Sequence, residues 1–127
     1  RNPSFLTGTW FEFLNKESIA PVLLSGYWMD NICNTIDRYH QLFGPVVSLR
    51  LHGEERKEIE AESNGFWDKI LYDRERDLSN IAKRVIMLRQ HHQLYIQVNN
   101  HFEGSAPLTI SRIEKMMKEI EVKEEAF

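Results

Sequence analysis

Apolar residues fall along this chain in two kinds of run. Short, nearly continuous runs occupy 19–24, 46–51 and 94–98, each edged by turn-forming residues such as Ser25-Gly26, Gly44-Pro45 and Asn99-Asn100. Runs of that length read as strands buried on both faces, the habit of parallel sheets. Between them apolar residues recur every third or fourth position. Thr9-Trp10-Phe11-Glu12 has the spacing of a capping box and predicts a short helix to about Lys16, with Trp10, Phe13 and Leu14 inward. Ile32, Ile36, Tyr39 and Phe43 predict a helix over 31–43, closed by Gly44. Leu78, Ile81, Ala82, Val85 and Ile86 mark another. A last helix starts near Ser105, with Pro107 in its first turn and Ile110, Ile113, Met117 and Ile120 as its buried stripe.

The predicted order is helix, strand, helix, strand, loop, helix, strand, helix. Such alternation argues for an α/β fold with a parallel sheet and helical crossovers. The loop, 53–77, is long and polar. Its charged part, 54–62, reads as a solvated face, while Phe66, Trp67, Ile70, Leu71 and Tyr72 form an apolar island that must dock on something.

Two segments place chemistry at strand ends: Arg50-Leu51-His52-Gly53 and Asn99-Asn100-His101. Ligands of α/β folds sit beyond the carboxyl ends of the strands. Strand residues alternate faces, so Arg50 and His52 are expected to point the same way. An arginine in an apolar strand needs a structural carboxylate, a ligand anion or the open rim, and its planar fork suits carboxylate or phosphate. His52 and His101 can act as acid/base groups, or as hydrogen-bonding wall residues. Asn99 and Asn100 can orient a ligand oxygen or tie down a turn. Gly104-Ser105 ahead of the last helix offers backbone N–H groups to an anion.

At 127 residues the chain is expected to be a single domain over 1–127, and 42% hydrophobic content with 28% charged is that of a folded globular protein. The net charge of −3 gives no field favouring nucleic acid or anionic membranes, so a nucleic-acid partner is not indicated by charge. No apolar stretch approaches the ~20 residues of a membrane helix, no secretory leader is evident, and the lone Cys33 suits a cytoplasmic protein and a packing role. His91-His92 end a helix and read as surface residues; Met116 and Met117 read as core. Two histidines on separate strand ends do not make a metal site, so neither metal nor cofactor is predicted. P-loop, dinucleotide, HExxH and GxSxG patterns are absent, which disfavours those enzyme classes.

Arg1-Asn2-Pro3-Ser4-Phe5, Arg50-Leu51-His52-Gly53 and Asn99-Asn100-His101-Phe102-Glu103-Gly104, in that order and spacing, resemble the YecE-like family, a domain of unknown function (number seventy-two). Val98 and Thr109 depart from its pattern, where an aromatic and an asparagine are common. The resemblance implies a TIM-type (β/α) barrel of roughly 250 residues. This chain would be its last three strand–helix units, the carboxyl-terminal portion of a larger barrel, with Arg1 and Asn2 at the tip of a preceding strand. Self-association, or an amino-terminal half, would then cover the open edge. The expected function is a barrel-mouth enzyme acting on a small anionic or phosphate-containing ligand, with phosphoester hydrolysis the first guess. His52 and His101 would be catalytic, and Arg1, Asn2, Arg50, Tyr72, Asn99, Asn100 and Ser105 would bind the ligand. The alternative is a non-catalytic binding protein for a nucleotide, sugar or nucleic acid.

Overall fold

The computed structural model describes residues 2–126. Its elements run α1 (Gly8–Lys16), β1 (Val22–Gly26), α2 (Ile32–Tyr39), β2 (Val46–Gly53), α3 (Arg56–Ser63), α4 (Glu75–Leu88), β3 (Gln93–Val98) and α5 (Ala106–Glu125). The three strands form one parallel sheet in the order β1-β2-β3. The predicted α/β alternation therefore holds, with one helix more than expected.

Register decides which face each residue serves. Leu23, Leu49 and Ile96 are in line across the sheet, as are Ser25, Leu51 and Val98. Leu23, Val47, Leu49 and Leu51 join Phe11, Ile36, Leu78, Ile81, Val85 and Ile113 in a single hydrophobic core. The other face carries Val22, Ser48 and Tyr95 in one row and Leu24, Arg50 and Gln97 in the next. Val22 and Tyr95 are more than half exposed there. The strands are thus not buried on both faces as expected. β3 in particular alternates half-buried and exposed positions, because the core covers one side only.

The helices show where local signals mislead. Thr7, not Thr9, caps α1, its hydroxyl accepting from the Trp10 N–H at 3.2 Å. The preceding turn Pro3–Phe5, itself capped by the Asn2 side chain, sets that start. Packing turns Phe11 and Leu14 inward and leaves Trp10 and Phe13 outside, stacked on each other. Ile19 is likewise half exposed, and β1 begins at Val22 and not at residue 19. α2 ends at Tyr39 and passes through the turn His40–Leu42 into extended Phe43, so Gly44 is not its cap. His92, expected as surface punctuation, bonds the Gly44 carbonyl through Nδ1 at 2.7 Å and ties the α4–β3 turn to the start of β2.

The polar stretch after β2 is not all solvated loop. Its charged half forms α3, held by an Arg56–Glu60 pair one turn apart and by Ile59, which is fully buried. The apolar island then runs back beneath it, and the N–H groups of Leu71 and Tyr72 donate to the carbonyl of Glu103. α4 packs on α2 and α5, with Arg84 forking both oxygens of Asp37 at 3.1 and 2.7 Å. No described helix is long and apolar enough to cross a membrane.

Candidate functional site

At the carboxyl ends of the strands the sheet register slips. Ser25 pairs with Leu51, but Gly26 pairs with Gly53, leaving His52 as the extra residue of a bulge. Bulges re-aim side chains at the rims of sheets. Gly53 adopts φ +92°, and a β-carbon there would lie 2.4 Å from the His101 carbonyl oxygen. Glycine at this position is what lets the β2 end and the turn after β3 approach each other, and hence brings the two histidines together.

His52 is almost wholly buried, and its Nε2 lies 3.2 Å from the Tyr27 hydroxyl. The rings of His52 and His101 lie 6.1 Å apart and nearly parallel. His101 Nε2 is 2.8 Å from Glu60 Oε1, which also accepts from Arg56 Nε at 2.9 Å. Those two hydrogen bonds, the one from His101 foremost, hold the Glu60 carboxyl below its usual range. Trp67 covers the far side of His101, ring centroids 5.0 Å apart. The two histidines thus head two hydrogen-bonded pairs, one with a phenol and one with a carboxylate, each able to hold a proton.

Arg50 lies two residues before His52, level with Leu24 and Gln97. Its Nε is buried and has no hydrogen-bond partner, and no described carboxylate pairs with it. The structural ion pair that the sequence allowed for is therefore not formed among the described residues.

The remaining predicted residues separate into anchors and outliers. Asn99 accepts from the Phe102 N–H through its carbonyl and donates its own N–H to Leu51, which closes the turn after β3. Asn100 is occupied: its Oδ1 accepts from the Ala106 N–H at 2.8 Å and caps α5. That bond also fills part of the anion seat expected at Gly104-Ser105, and Ser105 is itself buried. Tyr72 donates to Glu62 at 3.0 Å; loss of water around the ring and that carboxylate both raise its phenol. Asn2 caps the first turn, bonded to Ser4. Arg1 lies outside the described residues.

Glu103 is the hidden hub of this end of the molecule. It is fully buried and accepts from the Thr109 hydroxyl at 2.7 Å, the Arg74 N–H at 2.9 Å and the Arg112 guanidinium. Arg74 Nε in turn reaches the Phe102 carbonyl at 2.8 Å. Glu103 thus pins the loop before α4 to the turn before α5.

Tyr27, Arg56, Glu60 and Trp67 were not among the site residues expected from the sequence, Trp67 being read only as part of an apolar island. Tyr27 carried a usable signal, since it follows the end of β1 as His52 and Asn99 stand at the ends of β2 and β3. Glu60 carried none, being one of many charges in an acidic stretch. A separate cavity of about 160 Å³ opens between the β1 and β2 ends and α2 and α4, lined by Ser25, Asp30, Cys33, Glu54, Arg74 and Asp77 among others. It contains none of the predicted site residues. Among the described residues, no three or more His, Cys, Asp or Glu gather closely enough to hold a metal ion.

A three-stranded parallel sheet with its polar chemistry at the carboxyl rim defines an α/β protein of the rim-site class. The chain belongs to the family described as "Protein of unknown function DUF72", whose model matches residues 1–126; this is the YecE-like family that its motifs resemble. A crystal structure of a DUF72 family protein from Thermotoga maritima is similar in fold, with a TM-score of 0.63 at 22% identity. The match covers 93% of this chain and 44% of that one, so the chain spans less than half the length of the solved relative. No curated protein matches the chain.

Proposed function

We propose that the rim built by Arg50, His52 and His101 binds a small anionic or phosphate-containing ligand and acts on it, with phosphoester hydrolysis as the reaction class. The observations that carry this reading are the unpartnered Nε of Arg50, two residues before His52 on β2, and two stacked histidines, one hydrogen-bonded to Tyr27 and the other to Glu60. A guanidinium without a carboxylate partner favours a nearby anion. A histidine oriented by a carboxylate is suited to acid/base work. In the same proposal the chain forms roughly the last three strand–helix units of a TIM-type barrel. The bare, partly polar sheet face would then be the barrel interior, as the one-sided core and the match to under half of the solved relative support. The missing cover would come from an amino-terminal half or from a second copy, and the protein would work in the cytoplasm.

The alternative is a non-catalytic binder using the same rim. It draws on the engagement of Nε2 in both histidines, which suits fixed walls as well as proton carriers. Phosphate or sulfate should raise the melting temperature of the intact protein, and Arg50→Ala should abolish that rise. An undiminished rise in the variant would remove Arg50 from the site. His52→Ala and His101→Ala then separate the two readings. Loss of phosphoesterase turnover with binding retained marks an enzyme, whereas loss of binding with no turnover ever detectable marks a binder.

A further inference from the structure

The helix α3 stands apart from the rest of the fold. It shares no extended packing with another helix or strand. Its one buried apolar side chain, Ile59, lies outside the hydrophobic core that unites the sheet with α1, α2, α4 and α5. By contrast α4 buries Leu78, Ile81, Ala82, Val85, Ile86 and Leu88. No side chain caps the amino end of α3, and its carboxyl end leaves through two successive left-handed residues, Asn64 at φ +50° and Gly65 at φ +78°. A β-carbon on Gly65 would meet nothing within 4 Å, so glycine there serves backbone freedom and not a close approach.

Polar contacts with the strand ends hold α3 down. Glu60 Oε1 meets His101 Nε2 at 2.8 Å. One turn earlier, Arg56 pairs with Glu60 at 2.9 Å and also hydrogen-bonds the Tyr27 phenol. Tyr27 and His101 are the two groups that flank His52, their ring centroids 4.6 and 6.1 Å from its own. Farther out, Glu62 accepts from Tyr72 at 3.0 Å and Glu55 comes within 3.9 Å of Arg74. The side chains of Arg56 and Glu60 are 61% and 43% exposed, so each contact is weak and exchanges readily with water. His52 itself is 6% exposed. A histidine so enclosed meets a ligand from solution only when its surroundings move. Held by one apolar side chain and these exposed contacts, α3 is the neighbour free to do so.

The rim-site reading above gives His52 a ligand to meet, and on that basis we propose that α3 is a hinged lid over His52, latched by Arg56 on Tyr27 and by Glu60 on His101 and turning about Asn64-Gly65. The two latch residues sit one turn apart on one face of the helix, so opening breaks both contacts together and uncovers His52. Closing remakes them and shuts a ligand at the rim away from water.

The lid can be tested without a ligand. In hydrogen exchange of the full chain read by mass spectrometry, amides of 56–63 should exchange at least about tenfold faster than those of 78–88 once intrinsic rates are divided out. In parallel, diethyl pyrocarbonate labels accessible histidines, and peptide mapping reads His52. Glu60→Gln, at an exposed site, should raise both α3 exchange and His52 labelling by about threefold. His101→Ala breaks the latch from the other side and leaves the Arg56–Glu60 pair in place; a similar rise in α3 exchange there separates a latch from a mere loss of helix stability. Glu119→Gln, which removes an exposed pair one turn apart on α5, should leave α3 exchange unchanged. The inference is overturned if α3 exchanges no faster than α4, if either latch variant leaves α3 exchange as it was, if Glu119→Gln raises it as much, or if His52 labelling does not follow α3 exchange in Glu60→Gln. Inorganic phosphate tests the site separately. Protection of 56–63 from exchange and of His52 from labelling supports both readings, whereas no effect of phosphate on a lid that opens as described would sink the anion-site reading alone.

Discussion

Replacing Glu103 by alanine tests the structural logic of the rim most directly. The side chain is fully buried and accepts from three donors: the Thr109 hydroxyl, the Arg74 backbone N–H and the Arg112 guanidinium. Hydrogen bonds to a charged acceptor contribute roughly 1.5–3 kcal/mol each, and they do not add fully. Thr109 is also fully buried and would lose its acceptor, whereas Arg112 is partly exposed and keeps Asp73 at 2.8 Å. Breaking one side of a buried ion pair costs about 3–5 kcal/mol, and the retained Asp73 contact keeps the expected loss within that range. That is a large share of the ~5–15 kcal/mol by which domains are stable. Glu103→Gln keeps one oxygen for Arg74 and Arg112 and can turn its amide toward Thr109, whose hydroxyl also accepts; the expected loss falls to about 1–2 kcal/mol. Urea unfolding followed by circular dichroism reads both variants, with m-values checked for constancy. A loss below about 1 kcal/mol in the alanine variant would refute the hub role.

Three further outcomes are expected. Gly53→Ala, which forces a β-carbon against the His101 carbonyl in a left-handed conformation, should lower stability by about 2 kcal/mol or more in the same assay; a loss under ~0.5 kcal/mol would show that the close approach of the β2 end to the β3 turn is loose. The Arg84 fork holds the Asp37 carboxyl below its ordinary 3.8, so the pair's contribution is complete above that value and fades as pH falls through the depressed one; Asp37→Asn should flatten the acid limb of the stability profile, and an unaltered limb would remove the pair from it. Among the described residues β1 and β3 each have one edge without a strand beside it, so the isolated 127 residues should self-associate in light scattering and unfold in a concentration-dependent way. A monomer with one cooperative, concentration-independent transition would refute that.

Much of the fold was legible locally because strands and long helices write their own periodicity. The strands at 46–51 and 94–98, the amphipathic α4 and the Pro107 start of α5 all follow from residue type and spacing. The placement of chemistry at strand ends was legible too, since Arg50-Leu51-His52-Gly53 and Asn99-Asn100-His101 stand where apolar runs stop. Phase and pairing were not. Whether Trp10 or Phe11 faces the core is decided by how α1 packs on the sheet, and both phases fit the same apolar pattern. Asn100 could orient a ligand or cap a helix with equal propriety; only the position of the Ala106 N–H made it a cap. Glu60 and His101 are far apart in the chain, and no local rule singles out one glutamate of an acidic helix as the one that reaches a histidine. The sequence by itself determined the alternation of elements and the rim on which polar groups gather, because both arise from short-range patterns of burial. Tertiary structure alone decided which of those groups meet, because a bulge at His52, the close approach at Gly53 and the fold-back of α3 bring distant segments together, and that convergence depends on long-range packing.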